Sequence, residues 1–221
     1  MSLPKPSISR TSSLAGAAVF GALAAVITAL WPPSYQFRFP VPGFQFLAFD
    51  AAELIDVLAF LLFGPVVGVA TAAVHGLVLS VFPSEAPLVG PLLKFLAVSS
   101  MLLGLWLGYL LYSRPFRSKG GYTAGLSLMT GFGLVSRVLI LTPINYVFLF
   151  LFFSTPGNPP SQSYVVLYLG WIGVFNAIHA LISTLIPYLV MGALIRASPE
   201  LKGRAWVSTF LRFPAALRKA H

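Results

Sequence analysis

Long apolar runs, cut at regular intervals by short polar or Pro/Gly-rich stretches, set the pattern of this chain. A helix needs about 20 apolar residues to cross a hydrocarbon core of about 30 Å, and most of the runs approach that length. The first covers Leu14–Leu30. A loop rich in Pro and aromatics, Trp31–Phe49, follows it and carries Tyr35, Phe37, Phe39, Phe44 and Phe46. A second run begins near Asp50 and stops at Gly64-Pro65, a pair that signals a tight turn. The third then runs to about Phe82. After the short loop Pro83–Pro91 comes a fourth span, Leu92–Tyr112. The stretch Tyr122–Phe153 is too long for one straight span, and Pro143 is expected to kink or break it. Beyond the polar loop Thr155–Ser163, the sixth span runs from about Tyr164 to Ile195.

Charge orients these spans. Eleven of the fourteen basic residues fall in three places. Lys5 and Arg10 lie in the N-terminal tail, and Arg114, Arg117 and Lys119 in the middle loop. Arg196, Lys202, Arg204, Arg212, Arg218 and Lys219 lie in the C-terminal tail. Lys and Arg accumulate on cytoplasmic loops, so each cluster must be separated from the next by an even number of spans. Six helices with both termini cytoplasmic satisfy all three clusters, whereas five would put one outside. The predicted fold is therefore an all-α membrane protein of six transmembrane helices, with the aromatic loop between helices 1 and 2 facing out. Residues 1–13 form an inner tail, 14–195 the membrane domain and 196–221 a basic inner tail. Within that last segment, Ala205–Ala220 reads either as a membrane-surface stretch, with Trp206, Phe210, Leu211 and Phe213 among basic residues, or as a disordered tail interrupted by Pro214.

Composition narrows the function classes. The chain is 57% hydrophobic and only 9% charged, with a mean hydropathy of +0.88. The net charge of +9 is almost all juxtamembrane, which suits topology and anionic lipid rather than nucleic acid. With no cysteine there is no disulfide, thiolate metal site or Cys nucleophile. No phosphate loop of the G-x-x-x-x-G-K-[ST] kind appears, so any ATPase that drives this protein is another chain. The first run ends in Trp31-Pro32-Pro33 without a small-residue cleavage pattern and is read as a span, not a signal peptide.

Ionisable groups at membrane depth are functional candidates by default. Here they are Glu53, Asp56, His75, Lys94 and Arg137. Counting along the spans puts Asp56 and Arg137 near mid-depth, which predicts a structural ion pair between spans two and five. A substrate role for Arg137, towards an anionic group, is the alternative. Asp50, Glu53 and Asp56 share a helix face by their three-residue spacing. Lys94, near the outer end of span four, can snorkel, and His75 reads as a hydrogen-bonded helix contact. Asn145, Asn176 and His179 form a second group in the outer halves of spans five and six. Their amides and imidazole can read the edge of a heterocycle or can bond helix to helix. Tyr146, Tyr168 and Trp171 can supply stacking or interfacial anchoring. Small residues on span one, Ala18-x-x-x-Ala22 and Gly21-x-x-x-Ala25, allow close helix approach to a partner subunit or to a neighbouring span.

Several ordered segments resemble a known family. They are Phe39-Pro40-Val41-Pro42, then Phe49-Asp50, then Phe63-Gly64-Pro65-Val66-Val67-Gly68. Gly90-Pro91-Leu92-Leu93-Lys94-Phe95-Leu96-Ala97 follows, and Arg137-Val138-Leu139 leads on to Asn145-Tyr146-Val147-Phe148. Across about residues 14–195 the set resembles the substrate-binding S components of energy-coupling factor vitamin transporters, and is most similar to the riboflavin-specific branch. The resemblance implies a subunit of a prokaryotic cell membrane, not an enzyme, with no cofactor of its own. It would bind a vitamin, riboflavin first among candidates, and present it to a transmembrane coupling subunit and two cytoplasmic ATPases. It further implies that Ala18 and Ala22 dock the coupling subunit. Asn145 and Asn176 match pocket asparagines, and His179 stands where the family commonly has a Lys. The full set of expected substrate contacts is Asn145, Asn176, His179, Tyr146, Phe44 and Lys94. Two other classes compete. An intramembrane enzyme would use Asp56, His75 or His179 as acid or base, but no catalytic motif frames them. A self-sufficient secondary transporter would carry a proton on Asp56 or Glu53, yet no inverted repeat is visible.

Overall fold

The computed structural model describes residues 9–31, 34–44, 46–82, 88–112, 122–153 and 162–207. Six main helices form the bundle: α1 (Arg10–Leu30), α2 (Ala52–Phe63), α3 (Pro65–Leu79), α4 (Val89–Leu111), α5 (Tyr122–Phe153) and α6 (Gln162–Ala197). A short α7 (Leu201–Arg204) follows. The middle basic cluster Arg114–Lys119, Lys5, the greater part of the Thr155–Ser163 loop and the tail beyond Val207 lie outside the described residues.

Helix boundaries depart from the hydropathy boundaries where capping and packing decide. Ser9 accepts a hydrogen bond from the Ser12 N–H at 3.1 Å, so α1 starts at its cap and takes Arg10–Ser13 out of the expected tail. α5 runs unbroken through Pro143, so of the kink or break expected there the break does not occur. Proline is tolerated in a membrane helix when neighbouring groups satisfy the backbone around it. The carbonyl that Pro143 leaves without its helical donor is that of Leu139; close to it, the Thr142 hydroxyl donates to the Val138 carbonyl and the Asn145 amide to that of Leu141.

Four helices, α1, α4, α5 and α6, are long and apolar enough to cross a membrane. α2 and α3, with 12 and 15 residues, rise only about 18 and 22 Å. They form a hairpin turned at Gly64, whose φ of +96° lies in the region that favours glycine. Pro65 then opens α3 at a position where its missing N–H costs nothing.

The turn of that hairpin is closed by the segment after α6. Trp206 donates its backbone N–H to the Leu62 carbonyl at 2.8 Å. Its ring lies 4.1 Å from that of Tyr109 and 5.1 Å from that of Phe60. A Cβ on Gly64 would stand 2.9 Å from the indole, so the turn needs glycine for space as well as for φ. Ala205, Trp206 and Val207 are buried in the main core, which removes them from the surface-lying or disordered stretch expected there.

α4 and α5 touch backbone to backbone. A Cβ on Gly104 would run into the Phe132 carbonyl, and one on Gly108 would lie 2.7 Å from the Met129 Cα. On α1 the small residues divide into two faces. Gly16 and Gly21 turn inward onto Phe63 and Val74, whereas Ala15, Ala18 and Ala22 are exposed.

The loop after α1 shapes the upper half of the molecule. β1 (Phe37–Arg38) pairs antiparallel with β2 (Ala48–Phe49), and Phe39 donates its N–H to the Leu47 carbonyl at 2.8 Å. Phe39 and Phe44 are buried against Tyr168, Ile172, Phe175 and Leu149 in a second apolar cluster. The hairpin therefore does not rest on the bundle but enters it. Phe49 packs on Phe175 and His179, and His179 lies 17 residues, or about 26 Å, from the start of α6.

Candidate functional site

Because the hairpin descends so far, α2 begins deep in the bundle, and this decides its ion pairing. The expected pair was Asp56 with Arg137, counted from a helix starting at the outer surface. In the structure the first turn of α2, not the second, is level with Arg137. Glu53 is the partner, with Arg137 Nη1 to Oε2 at 2.7 Å and Nη2 to Oε1 at 3.1 Å. Asp56 instead faces His75, with Nδ1 to Oδ2 at 2.9 Å.

Glu53 is the hub of a buried network and has no solvent exposure. Besides the two-pronged guanidinium it meets Lys94 Nζ at 2.6 Å and accepts from the Ser183 hydroxyl at 3.0 Å. Lys94 therefore turns inward and does not snorkel. Arg137 has donors to spare. Its Nε donates to Asn176 Oδ1 at 2.9 Å, and its Nη2 lies 3.3 Å from His179 Nδ1. A guanidinium only donates, so Nδ1 of His179 takes the accepting role. Nε2 of the same ring lies 3.4 Å from Glu53 Oε2 and 3.4 Å from the backbone N–H of Asp50, which ties the ring to the residue that follows β2. Pairing and hydrogen bonding on this scale are what a charge needs at such depth.

Directly above the network lies a cavity of about 610 Å³. α5 lines it with Arg137, Leu141, Asn145 and Phe148, spaced as one helical face. α6 presents Tyr168, Ile172, Phe175, Asn176 and His179, again one face. Lys94 and Leu93 close the α4 side, and the hairpin covers the top with Arg38, Phe46, Leu47 and Ala48. Each asparagine donates one amide hydrogen to the carbonyl a turn earlier in its own helix, Asn145 to Leu141 and Asn176 to Ile172. Those bonds fix both amide planes. The result is an apolar, ring-lined chamber with polar groups gathered on its floor and one wall, the usual make-up of a small-molecule site.

Of the expected contacts, the structure brings Asn145, Asn176, His179 and Lys94 together around the cavity. Two others stand apart. Tyr146 points away, 45% exposed and packed on Phe150, because residue 146 is one helical step off the lining face. Phe44 is buried under the hairpin against Phe46 and Tyr168, so it supports the cover while Phe46 lines the chamber. Trp171 packs edge-on against Phe39 outside the lining. Glu53, Leu141, Phe148, Ile172 and Phe175 were not among the expected contacts, although the four-residue recurrence on α5 and α6 carried that information for the last four.

Residues 12–191 match the family model described as ECF transporter, substrate-specific component. The chain belongs to this family of S components. It is thus a multi-pass membrane protein and a transport subunit of the kind that pairs with an energising module. A solved S component of a bacterial ECF transporter has the same fold, with a TM-score of 0.66 at 24% identity, over 86% of this S component and 98% of that chain. The riboflavin transporter RibU of Staphylococcus aureus (strain TCH60) is 33% identical to it over 110 residues, 49% of this chain and 53% of the relative. This S component therefore matches about half the length of that relative.

Proposed function

We propose that this S component binds riboflavin from the outer side of a prokaryotic cell membrane and delivers it to an energising module. That module comprises a transmembrane coupling subunit and two cytoplasmic ATPases. The observation that carries the reading is the meeting of Asn145, Asn176 and His179 beneath aromatic rings in a covered chamber of about 610 Å³, a size suited to a small organic ligand. A flavin ring presents an N–H flanked by two carbonyls on one edge and flat apolar faces on either side. An asparagine amide offers the complementary donor and acceptor to that edge, and Phe46, Tyr168 and Phe175 offer ring surfaces. Asn145 and Asn176 are 7% and 6% exposed, so a contact that either makes with the ligand is hard to replace, which favours selection against analogues lacking the polar group. The partial likeness to a riboflavin transporter supports the same ligand.

Orientation follows from the basic residues of the sequence, which place both termini in the cytoplasm. The exposed Ala18 and Ala22 on α1 give a smooth surface on which the coupling subunit would dock. The experiment is a riboflavin titration of the purified protein in mild detergent, followed by flavin absorbance and fluorescence quenching. Saturable quenching at about one flavin per chain, as expected of a single small-molecule cavity, supports the reading. A colourless protein that quenches nothing would overturn riboflavin and move the ligand to another vitamin.

A further inference from the structure

Among the described residues, His75 is a buried ionisable side chain that the chamber leaves unused. It lies in α3, 1% exposed, with Nε2 at 3.0 Å from Asp50 Oδ2 and Nδ1 at 2.9 Å from Asp56 Oδ2. An ionised carboxylate only accepts. Either both ring nitrogens carry protons, or one carboxyl keeps its own; the bridge holds one proton beyond a neutral ring between two carboxylates. That proton also balances the cluster, in which Asp50, Glu53 and Asp56 face Lys94, Arg137 and the bridge.

Asp50 is the residue through which this bridge reaches the chamber. It follows β2 directly, and its Oδ1 accepts from the Ala52 N–H at 2.9 Å, fixing the start of α2. Its Oδ2 is shared by His75 and, at 3.5 Å, by Lys94. One carboxylate thus fastens the inner end of the covering hairpin, whose Leu47 and Ala48 line the chamber. Next to His75, Val74 meets α1, where a Cβ on Gly21 would lie 3.3 Å from the valine side chain. Gly21 in turn adjoins Ala22 on the exposed face of α1.

We propose that His75 is the positioning residue that latches the hairpin over the chamber, and that α1 acts on this latch through the Gly21–Val74 contact. A displacement of α1 against α3 is passed to the residue beside Val74, and a charged hydrogen bond weakens steeply once its geometry is disturbed. The second half of the proposal rests on the reading of α1 as the docking face; the first half does not.

Amide hydrogen exchange of the full chain in lipid nanodiscs, without riboflavin, tests both halves. His75→Ala should raise exchange at the hairpin amides of Phe37–Phe39 and Leu47–Phe49 on the order of tenfold, the worth of one charge-assisted hydrogen bond. The helix amides around Asn145 and Asn176 should keep their protection. Unchanged hairpin exchange, or an equal rise throughout α4–α6, would overturn the latch. Should His75→Ala fail to fold, Asp50→Asn keeps the side-chain shape, removes its charge and gives the same readout. Gly21→Leu, which presses on Val74, should raise exchange at the same amides in the natural sequence and add nothing in the His75→Ala background. An additive rise would overturn the role of α1. Since riboflavin is absent throughout, a chain specific for another vitamin would give the same answer.

Discussion

Arg137 of α5 grips Glu53 of α2 through two parallel hydrogen bonds, 2.7 and 3.1 Å long, with neither side chain open to solvent. The pair joins the floor of the chamber to the helix that the hairpin leads into. Removing one partner of a buried pair leaves an uncompensated charge, at a cost of about 3–5 kcal/mol. Arg137→Met alone should therefore lower thermal stability in detergent sharply, and Glu53→Gln in the same chain should restore part of it. Equal stability of the single variant and the natural protein would show that the ion pair does not hold the two helices.

Asn145 and Tyr146 are adjacent in sequence but lie on different faces of α5, the first lining the chamber and the second 45% exposed. Asn145→Ala should weaken riboflavin binding about tenfold to a hundredfold, as expected when a buried polar contact is removed, while the protein remains folded. Tyr146→Ala should leave affinity unchanged. Equilibrium quenching titrations of both variants check the pair, and a reversal of the two results would contradict the lining of the chamber.

Gly104 sits where α4 and α5 meet backbone to backbone. Gly104→Ala forces the helices apart and should destabilise by about 1–3 kcal/mol, the usual range for overpacking. The same change at Gly173, around which there is open space, should be tolerated. Melting curves of the two variants side by side provide the measurement.

Ala18 and Ala22 are exposed on α1 and line no part of the chamber. Ala18→Trp and Ala22→Trp should spare riboflavin binding yet abolish uptake when the energising module is supplied. Preserved uptake in cells would count against docking on this face.

How much of this was legible from the residues follows from what each pattern encodes. Apolar length gave six helices, because it acts locally along the chain. Asn145, Asn176 and His179 were readable as a group since a polar residue in an apolar helix must face something. The partner of Arg137 was not. Its identity depends on how far the loop after α1 sinks into the bundle, which Phe39, Phe44 and Phe49 determine by packing on α6. Glu53 and Asp56 are one turn apart, so a depth error of about 5 Å exchanges their partners. Gly104-x-x-x-Gly108 carried the same small-residue signal as Ala18-x-x-x-Ala22 and turned out to be an internal contact. Such a motif shows that something comes close without saying what.

Trp206 has a practical consequence for anyone handling the gene. Hydropathy invites a truncation or a fusion junction just after Ile195, where the last apolar run ends. A cut there removes the indole that fills the space beside Gly64 and the backbone bond to Leu62, leaving the α2–α3 turn facing water with a hole in it. Reporter domains, affinity tags and split halves of this subunit belong after Val207.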